Sequence, residues 1–349
     1  MPPIQIGDRL IGSGHPVYIV AELSANHKQD FDAAAELILA AHEAGADAVK
    51  LQTYTPDTLT LNCDNEFFRI QGTPWQGRNL YQLYGEAYTP WEWHPRLADL
   101  ARSLNLALFS TPFDFTAVDF LEQLGVPAYK VASFEIVDIA LLKKIASTRK
   151  PIILSTGMAT REEIREAVDT IVSAGESRIV LLKCTSAYPA PPEAMNLRTI
   201  SDLAHNFGLP CGLSDHTLTT TVPIVATALG ACVIEKHLTL SRAAGGPDSA
   251  FSLEPEEFKA MVKAVRVAEQ SLGSVSYGGS AEEQGSIAFR RSLFVVKDIA
   301  AGELFSLENI RSIRPGHGLH PRYLDEILGK RARTNVPRGT PLHWEVIEQ

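Results

Sequence analysis

Cys211-Gly-Leu-Ser-Asp-His-Thr-Leu-Thr-Thr-Thr-Val-Pro-Ile-Val-Ala-Thr-Ala-Leu-Gly-Ala-Cys-Val-Ile-Glu-Lys-His237 contains one structural unit and the start of the next. A short apolar run at 211–213 ends in Ser214 and His216, a helical stretch fills 219–229, and a second apolar run at 231–234 ends in Glu235 and His237. Strand, helix and strand in that order read as a parallel β/α unit. Ser214 and His216 are two apart, as are Glu235 and His237, so each pair points to one side of its strand.

The same unit recurs upstream. Apolar runs at 17–21, 48–51, 106–109, 128–131, 151–154 and 178–182 bring the total to eight, and helical patterns at 31–44, 91–104, 116–124 and 161–174 separate several of them. Eight units before about residue 275 match the size of a closed (β/α)8 TIM barrel. The alternative is an open doubly wound sheet, but no glycine-rich dinucleotide turn follows the first run. Each run ends in polar residues: Glu22, Lys50 with Gln52, Ser110 with Thr111, Lys130 with Ser133, Ser155 with Thr156, Lys183 with Thr185, and the two pairs already named. In a barrel these ends converge on one face, where sites of this fold are built.

The barrel is therefore expected over 1–275, a linker over 276–289 within a Gly-, Ser- and Glu-rich stretch, and a separate module over 290–349. In that module Ile299-x-x-Gly302 and Val336-x-x-Gly339 share a spacing, and Ile310 and Ile347 fall at matching positions after them. Two copies of one β-turn-β unit predict a small pseudo-symmetric β-rich domain with a marginal core.

At 349 residues and 45% hydrophobic content the chain can bury a full core. A net charge of −9 disfavours nucleic acid as a partner, whereas a small anion depends only on the donors lining its pocket. Cys63, Cys184, Cys211 and Cys232 lack metal-finger spacing and fit a reducing cytoplasm. There is no apolar run long enough to span a bilayer and no signal-like opening, so no membrane association is expected.

His216 and His237, on neighbouring strand ends beside Asp215 and Glu235, are candidates to share one divalent ion with open positions for water or substrate. Lys50, Lys130 and Lys183, with hydroxyls of Thr111, Ser133, Ser155 and Ser214, suit a phosphate and a carboxylate, although one lysine acting as an imine-forming nucleophile is a competing reading. Glu22 is either a base acting on water or a carboxylate that balances Lys50. The long second connection, about 53–90, carries Gly72-Thr-Pro-Trp-Gln-Gly77 and Tyr81-Gln-Leu-Tyr84, whose aromatics and amides read as a lid or sugar-contacting surface or as packing on the rim.

Ala21-Glu-Leu-Ser-Ala-Asn-His27, Lys50-Leu-Gln52, Ser110-Thr-Pro-Phe113, Tyr129-Lys-Val-Ala-Ser133, Leu154-Ser-Thr-Gly-Met158, Lys183-Cys-Thr-Ser-Ala-Tyr-Pro189, Gly212-Leu-Ser-Asp-His-Thr217, Glu235-Lys-His237 and Gly246-Pro-Asp248 form an ordered series. The series resembles that of the sialic acid synthases. The segment from Arg290 to Gly316 is similar to their antifreeze-like (SAF, β-clip) domain. The long second loop looks like the pseudaminic acid synthase branch, and Ser186 and Ser249 depart from residues common in the sialic-acid branch.

The resemblance implies condensation of phosphoenolpyruvate with an amino-sugar aldehyde, 2,4-diacetamido-2,4,6-trideoxy-L-altrose, with N-acetylneuraminate and legionaminic acid synthases as alternatives. It implies Mn²⁺, or Mg²⁺ or Co²⁺, on His216 and His237. Glu22 and Asp248 join these as catalytic candidates. Lys50, Thr111, Lys130, Ser133, Ser155, Ser186 and Ser214 are implied around phosphoenolpyruvate, with Tyr188, Glu235 and Asp248 facing the acceptor and Gln52 a further substrate-binding candidate. It further implies a domain-swapped homodimer in which Arg314 reaches the partner's barrel. An ice-binding role for the C-terminal segment is disfavoured, since the segment lacks a flat, repetitive threonine face.

Overall fold

The computed structural model describes residues 2–72 and 75–348, so Thr73 and Pro74 of the 72–77 motif lie outside the described residues. The chain divides into two units, Met1–Gly273 and Ser274–Gln349.

The first unit begins with a hairpin of β1 (Ile4–Ile6) and β2 (Arg9–Ile11), turning at Gly7 with φ 57°. Eight parallel strands then close into a barrel: β3 (Tyr18–Glu22), β4 (Ala48–Thr53), β5 (Ala107–Pro112), β6 (Tyr129–Val131), β7 (Ile152–Ser155), β8 (Ile179–Cys184), β9 (Cys211–Asp215) and β10 (Val233–His237), with β10 pairing back onto β3. These are the eight runs read from the sequence. Helices such as Phe31–Ala44, Phe115–Leu124, Arg161–Ser173 and Pro255–Leu272 surround them. Several starts follow from local chemistry: Asp30 and Asp114 accept backbone N–H groups at the N-caps of the first two, Asp138 does so for a further helix, Ile139–Ser147, and Thr160 with Glu163 forms a capping box for Arg161–Ser173.

Alternation along each strand has a specific consequence here. The outward-facing apolar residues pack under the helices, while at the C-terminal strand ends the inward positions are polar yet buried. Lys50, Lys130 and Glu235 are at most 5% exposed. The hairpin was absent from the sequence reading because three-residue strands fall below the run length that signals a strand; the Gly7-Asp8 turn between Ile6 and Arg9 was its available signal. The hairpin lies at the opposite end of the barrel, where a Cβ on Gly7 would touch Ala107 at the start of β5. The 53–90 connection has structure of its own, with helices Pro56–Leu59 and Leu80–Ala87.

In the second unit, β11 (Ser292–Val295) pairs antiparallel with β12 (Ile310–Ile313) around a core including Leu293, Val295, Ile299, Phe305, Ile310, Val336 and Ile347. Its pseudo-symmetry is explicit. Ile299 and Val336 exchange hydrogen bonds at 2.9 and 2.8 Å, Gly302 and Gly339 both take positive φ, and the Val295–Ile310 pair is repeated at Ala332–Ile347.

Candidate active site

Strand register builds the site. In β9 and β10, Ser214 pairs with Glu235 and Asp215 with Lys236, which sets Ser214 and Glu235 on the barrel side and carries His216 and His237 to the same mouth. The imidazole centroids are 5.3 Å apart. His216 Nδ1 lies 3.0 Å from the Thr185 carbonyl, and because a carbonyl only accepts, Nδ1 holds a proton and the neutral ring carries its lone pair on Nε2; burial lowers the His216 pKa, but Cys184 and that carbonyl outweigh it and raise the value. His237 Nδ1 is buried without a hydrogen-bond partner among the described residues. Burial, reinforced by His216 and then Lys50, pushes the His237 pKa well below its ordinary value, which keeps this ring neutral.

These features fit a cation. One ring is oriented by a backbone carbonyl on its far nitrogen, as metal-binding imidazoles usually are, and the other has an unused buried donor atom. No cluster of three or more His, Cys, Asp or Glu groups suited to a metal occurs among the described residues, so a cation here would rely on the two rings and on oxygen from solvent or substrate.

Beside the imidazoles lies an ionic cluster. Lys50 Nζ is 2.9 Å from Glu22 Oε2 and 3.0 Å from Glu235 Oε1. Lys130 Nζ donates to Ser155 Oγ at 2.8 Å and lies 3.7 Å from the same Glu235 oxygen, and Ser214 Oγ donates to it at 3.0 Å. Glu235, expected at the acceptor, thus sits between two ammonium groups, because a buried lysine pair needs a counter-charge. Burial would raise the Glu235 pKa, but Lys130 and Lys50 outweigh it and hold the carboxyl well below its usual range. Burial lowers Lys50 to about 8 against the attraction of Glu235. Glu235 Oε2 and Thr111 Oγ1 are buried without hydrogen-bond partners among the described residues, unused capacity facing the same mouth.

Gln52 Nε2 donates to Glu22 Oε1 at 3.1 Å and to Ser24 Oγ at 3.2 Å, and the Ser24 hydroxyl donates to Asp248. Loss of solvent raises the Asp248 pKa despite that contact. Ser133 Oγ accepts from the Gly157 N–H at 3.1 Å, and a Cβ on Gly157 would collide with the hydroxyls of both Ser133 and Ser186. Lys183 Nζ instead donates to the Cys184 carbonyl at 2.6 Å and to Thr185 Oγ1 at 3.1 Å. The Tyr188 ring packs, tilted, 4.5 Å from His216 and 4.9 Å from Phe251, which lies 5.0 Å from His237. The barrel unit therefore gathers every candidate except Arg314, which follows β12 in the second unit.

Sequence reasoning missed four residues. Gly157 matters through two neighbouring strands, and Phe251 through its ring contacts. Cys184 lies 3.9 Å from His216 Nδ1; burial alone would raise its thiol, but contact with His216 lowers it to about 7. Glu135 has a buried unpartnered Oε2, and burial pushes its carboxyl up to about 7 against the pull of Lys130. Its place two residues beyond Ser133, still on the loop after β6, was the available signal.

Residues 37–277 match the NeuB family and residues 290–348 the SAF domain. The chain is 48% identical over 343 residues to a pseudaminic acid synthase of Helicobacter pylori, covering 96% of this chain and 98% of that protein. It is 45% identical over 339 residues to a pseudaminic acid synthase of Campylobacter jejuni, covering 97% and 98%. The crystal structure of the spore coat polysaccharide biosynthesis protein spsE of Bacillus subtilis matches with a TM-score of 0.68 at 35% identity and covers 99% of both chains.

Proposed function

The chain belongs to the NeuB family, and from that premise we propose that it condenses phosphoenolpyruvate with 2,4-diacetamido-2,4,6-trideoxy-L-altrose to give pseudaminic acid and phosphate. It is a transferase that forms a carbon–carbon bond. The observation that carries the reading is the meeting, in one barrel mouth, of a hydroxyl- and ammonium-lined half with an imidazole half. The choice of acceptor follows the two named relatives, similar over nearly the whole chain.

In this reaction carbon 3 of phosphoenolpyruvate bonds to the aldehyde carbon and the aldehyde oxygen gains a proton. Water adds at carbon 2, loses a proton, and the carbon 2–oxygen bond to phosphate breaks. Lys50 and Lys130 would neutralise the phosphate and carboxylate, with Thr111, Ser133, Ser155, Ser186 and Ser214 fixing their orientation. Thr111 supports this role, because its buried hydroxyl has no hydrogen-bond partner among the described residues. Glu22, held by Lys50 and Gln52, would take the proton of the incoming water. Tyr188 and Asp248 would line the acceptor side. A divalent ion on His216 and His237, Mn²⁺ or else Mg²⁺ or Co²⁺, supplies Lewis-acid polarisation of the aldehyde when bound.

Two further elements of the reading concern assembly and setting. Arg314 would reach the acceptor of a second subunit in a domain-swapped homodimer, and the free cysteines fit a cytoplasmic enzyme. No described helix is long and apolar enough to cross a membrane.

Phosphate release by purified protein, given phosphoenolpyruvate and a panel of amino sugars, tests the function. Turnover is expected with the trideoxy-altrose acceptor, lost with chelator and restored by Mn²⁺. Equal or better turnover with N-acetylmannosamine would refute the acceptor assignment.

A further inference from the structure

Trp75 extends the aromatic group of the imidazole half by one ring. Its indole N–H donates to the Pro247 carbonyl at 2.8 Å, immediately before Asp248. Its ring lies 5.8 Å from Tyr188, tilted by 52°, and 6.3 Å from Phe251, edge-on at 89°. Those two rings in turn contact His216 and His237. The indole is therefore tied to the loop carrying Asp248 while packing on the aromatic side chains that border the imidazoles. It remains partly exposed, so it is not simply core packing.

We propose that Trp75 is a specificity-determining residue, providing an apolar wall for the 6-methyl and acyl methyl groups of the acceptor sugar. The proposal rests on the acceptor class given above. An indole contributes a large rigid apolar face at low entropic cost, while its N–H is already engaged by Pro247 and so does not compete for a sugar hydroxyl. A hexosamine with a hydroxyl on carbon 6 would bring that group against the ring without a partner. A single such difference in an apolar pocket is worth roughly 10- to 200-fold in kcat/KM. Its contacts with Pro247, Tyr188 and Phe251 lie on the imidazole side of the mouth, so its loss should leave phosphoenolpyruvate binding alone.

Steady-state kinetics of wild type, Trp75→Ala and Trp75→Phe, with the trideoxy-altrose acceptor and with N-acetylmannosamine, test it. Trp75→Ala should raise KM for the trideoxy acceptor by about tenfold or more. KM for phosphoenolpyruvate should stay within about twofold, and the preference between the acceptors should narrow. Trp75→Phe, which keeps an apolar ring, should recover most of the loss. Unchanged preference in Trp75→Ala, an equal loss on both acceptors, or a matching rise in KM for phosphoenolpyruvate would overturn the assignment. A wild-type enzyme inactive on the trideoxy acceptor but active on N-acetylmannosamine would instead sink the acceptor reading itself.

Discussion

Lys50 shows how burial sets the working range of one side chain. With its pKa lowered to about 8, the ammonium predominates at neutral pH and is lost as pH rises through that value. KM for phosphoenolpyruvate should therefore climb above about pH 8, and a pH profile of kcat/KM that stays flat to pH 10 would contradict this. Gly157 gives a second prediction. Gly157→Ala drives a methyl into the hydroxyls of Ser133 and Ser186, so KM for phosphoenolpyruvate should rise at least about tenfold while far-ultraviolet circular dichroism stays unchanged. Lys50 was legible in the sequence because it closes an apolar run, two positions from Gln52. Gly157 was not, since its constraint comes from residues on two other strand ends. The position of Glu235 between two lysines was likewise invisible, because sequence gives the side of a strand and not which neighbour claims the carboxylate.

One register at the β9–β10 step orders both faces of the barrel wall. Inside, it aligns Ser214 with Glu235; outside, Lys236 and Asp215 form a fully buried pair at 2.6 Å, and Lys236 Nζ also donates to the Thr217 carbonyl and, at 3.4 Å, to its hydroxyl. Removing one partner leaves an uncompensated charge in the wall. Lys236→Met should cost about 3–5 kcal/mol, read from chemical denaturation, and Asp215→Asn in the same chain should recover part of it. A cost under about 1 kcal/mol would mean the pair does not hold this register. The eight strands could be read in advance because buried parallel strands are continuous apolar runs. The pairing of alternate polar residues across strands could not, as it depends on register. Nor could the hairpin Ile4–Ile6 with Arg9–Ile11, whose strands are too short to show a period.

At the scale of the whole molecule, the division into two units at Gly273 and Ser274 falls within the Gly- and Ser-rich stretch seen in the sequence, and the repeated Ile-x-x-Gly and Val-x-x-Gly spacing already announced the pseudo-symmetry of the second unit. The placing of Arg314 at a sugar in a partner's barrel came from the family resemblance alone, and it enters here as part of the proposed function. If subunits exchange their second units as proposed, Arg314→Ala should lower acceptor turnover at least about 100-fold with the melting temperature unchanged. Mixing that variant with an inactive His216→Ala chain should restore part of the activity through hybrid dimers, and no recovery in mixtures shown to exchange subunits would argue against the swap. The proposed condensation depends on a cation shared by two imidazoles. Anomalous diffraction at the manganese edge from Mn²⁺-soaked crystals measures this directly: a single peak within bonding distance of both His216 and His237 is expected, and rings turned apart with no peak between them would leave the aldehyde without its activator.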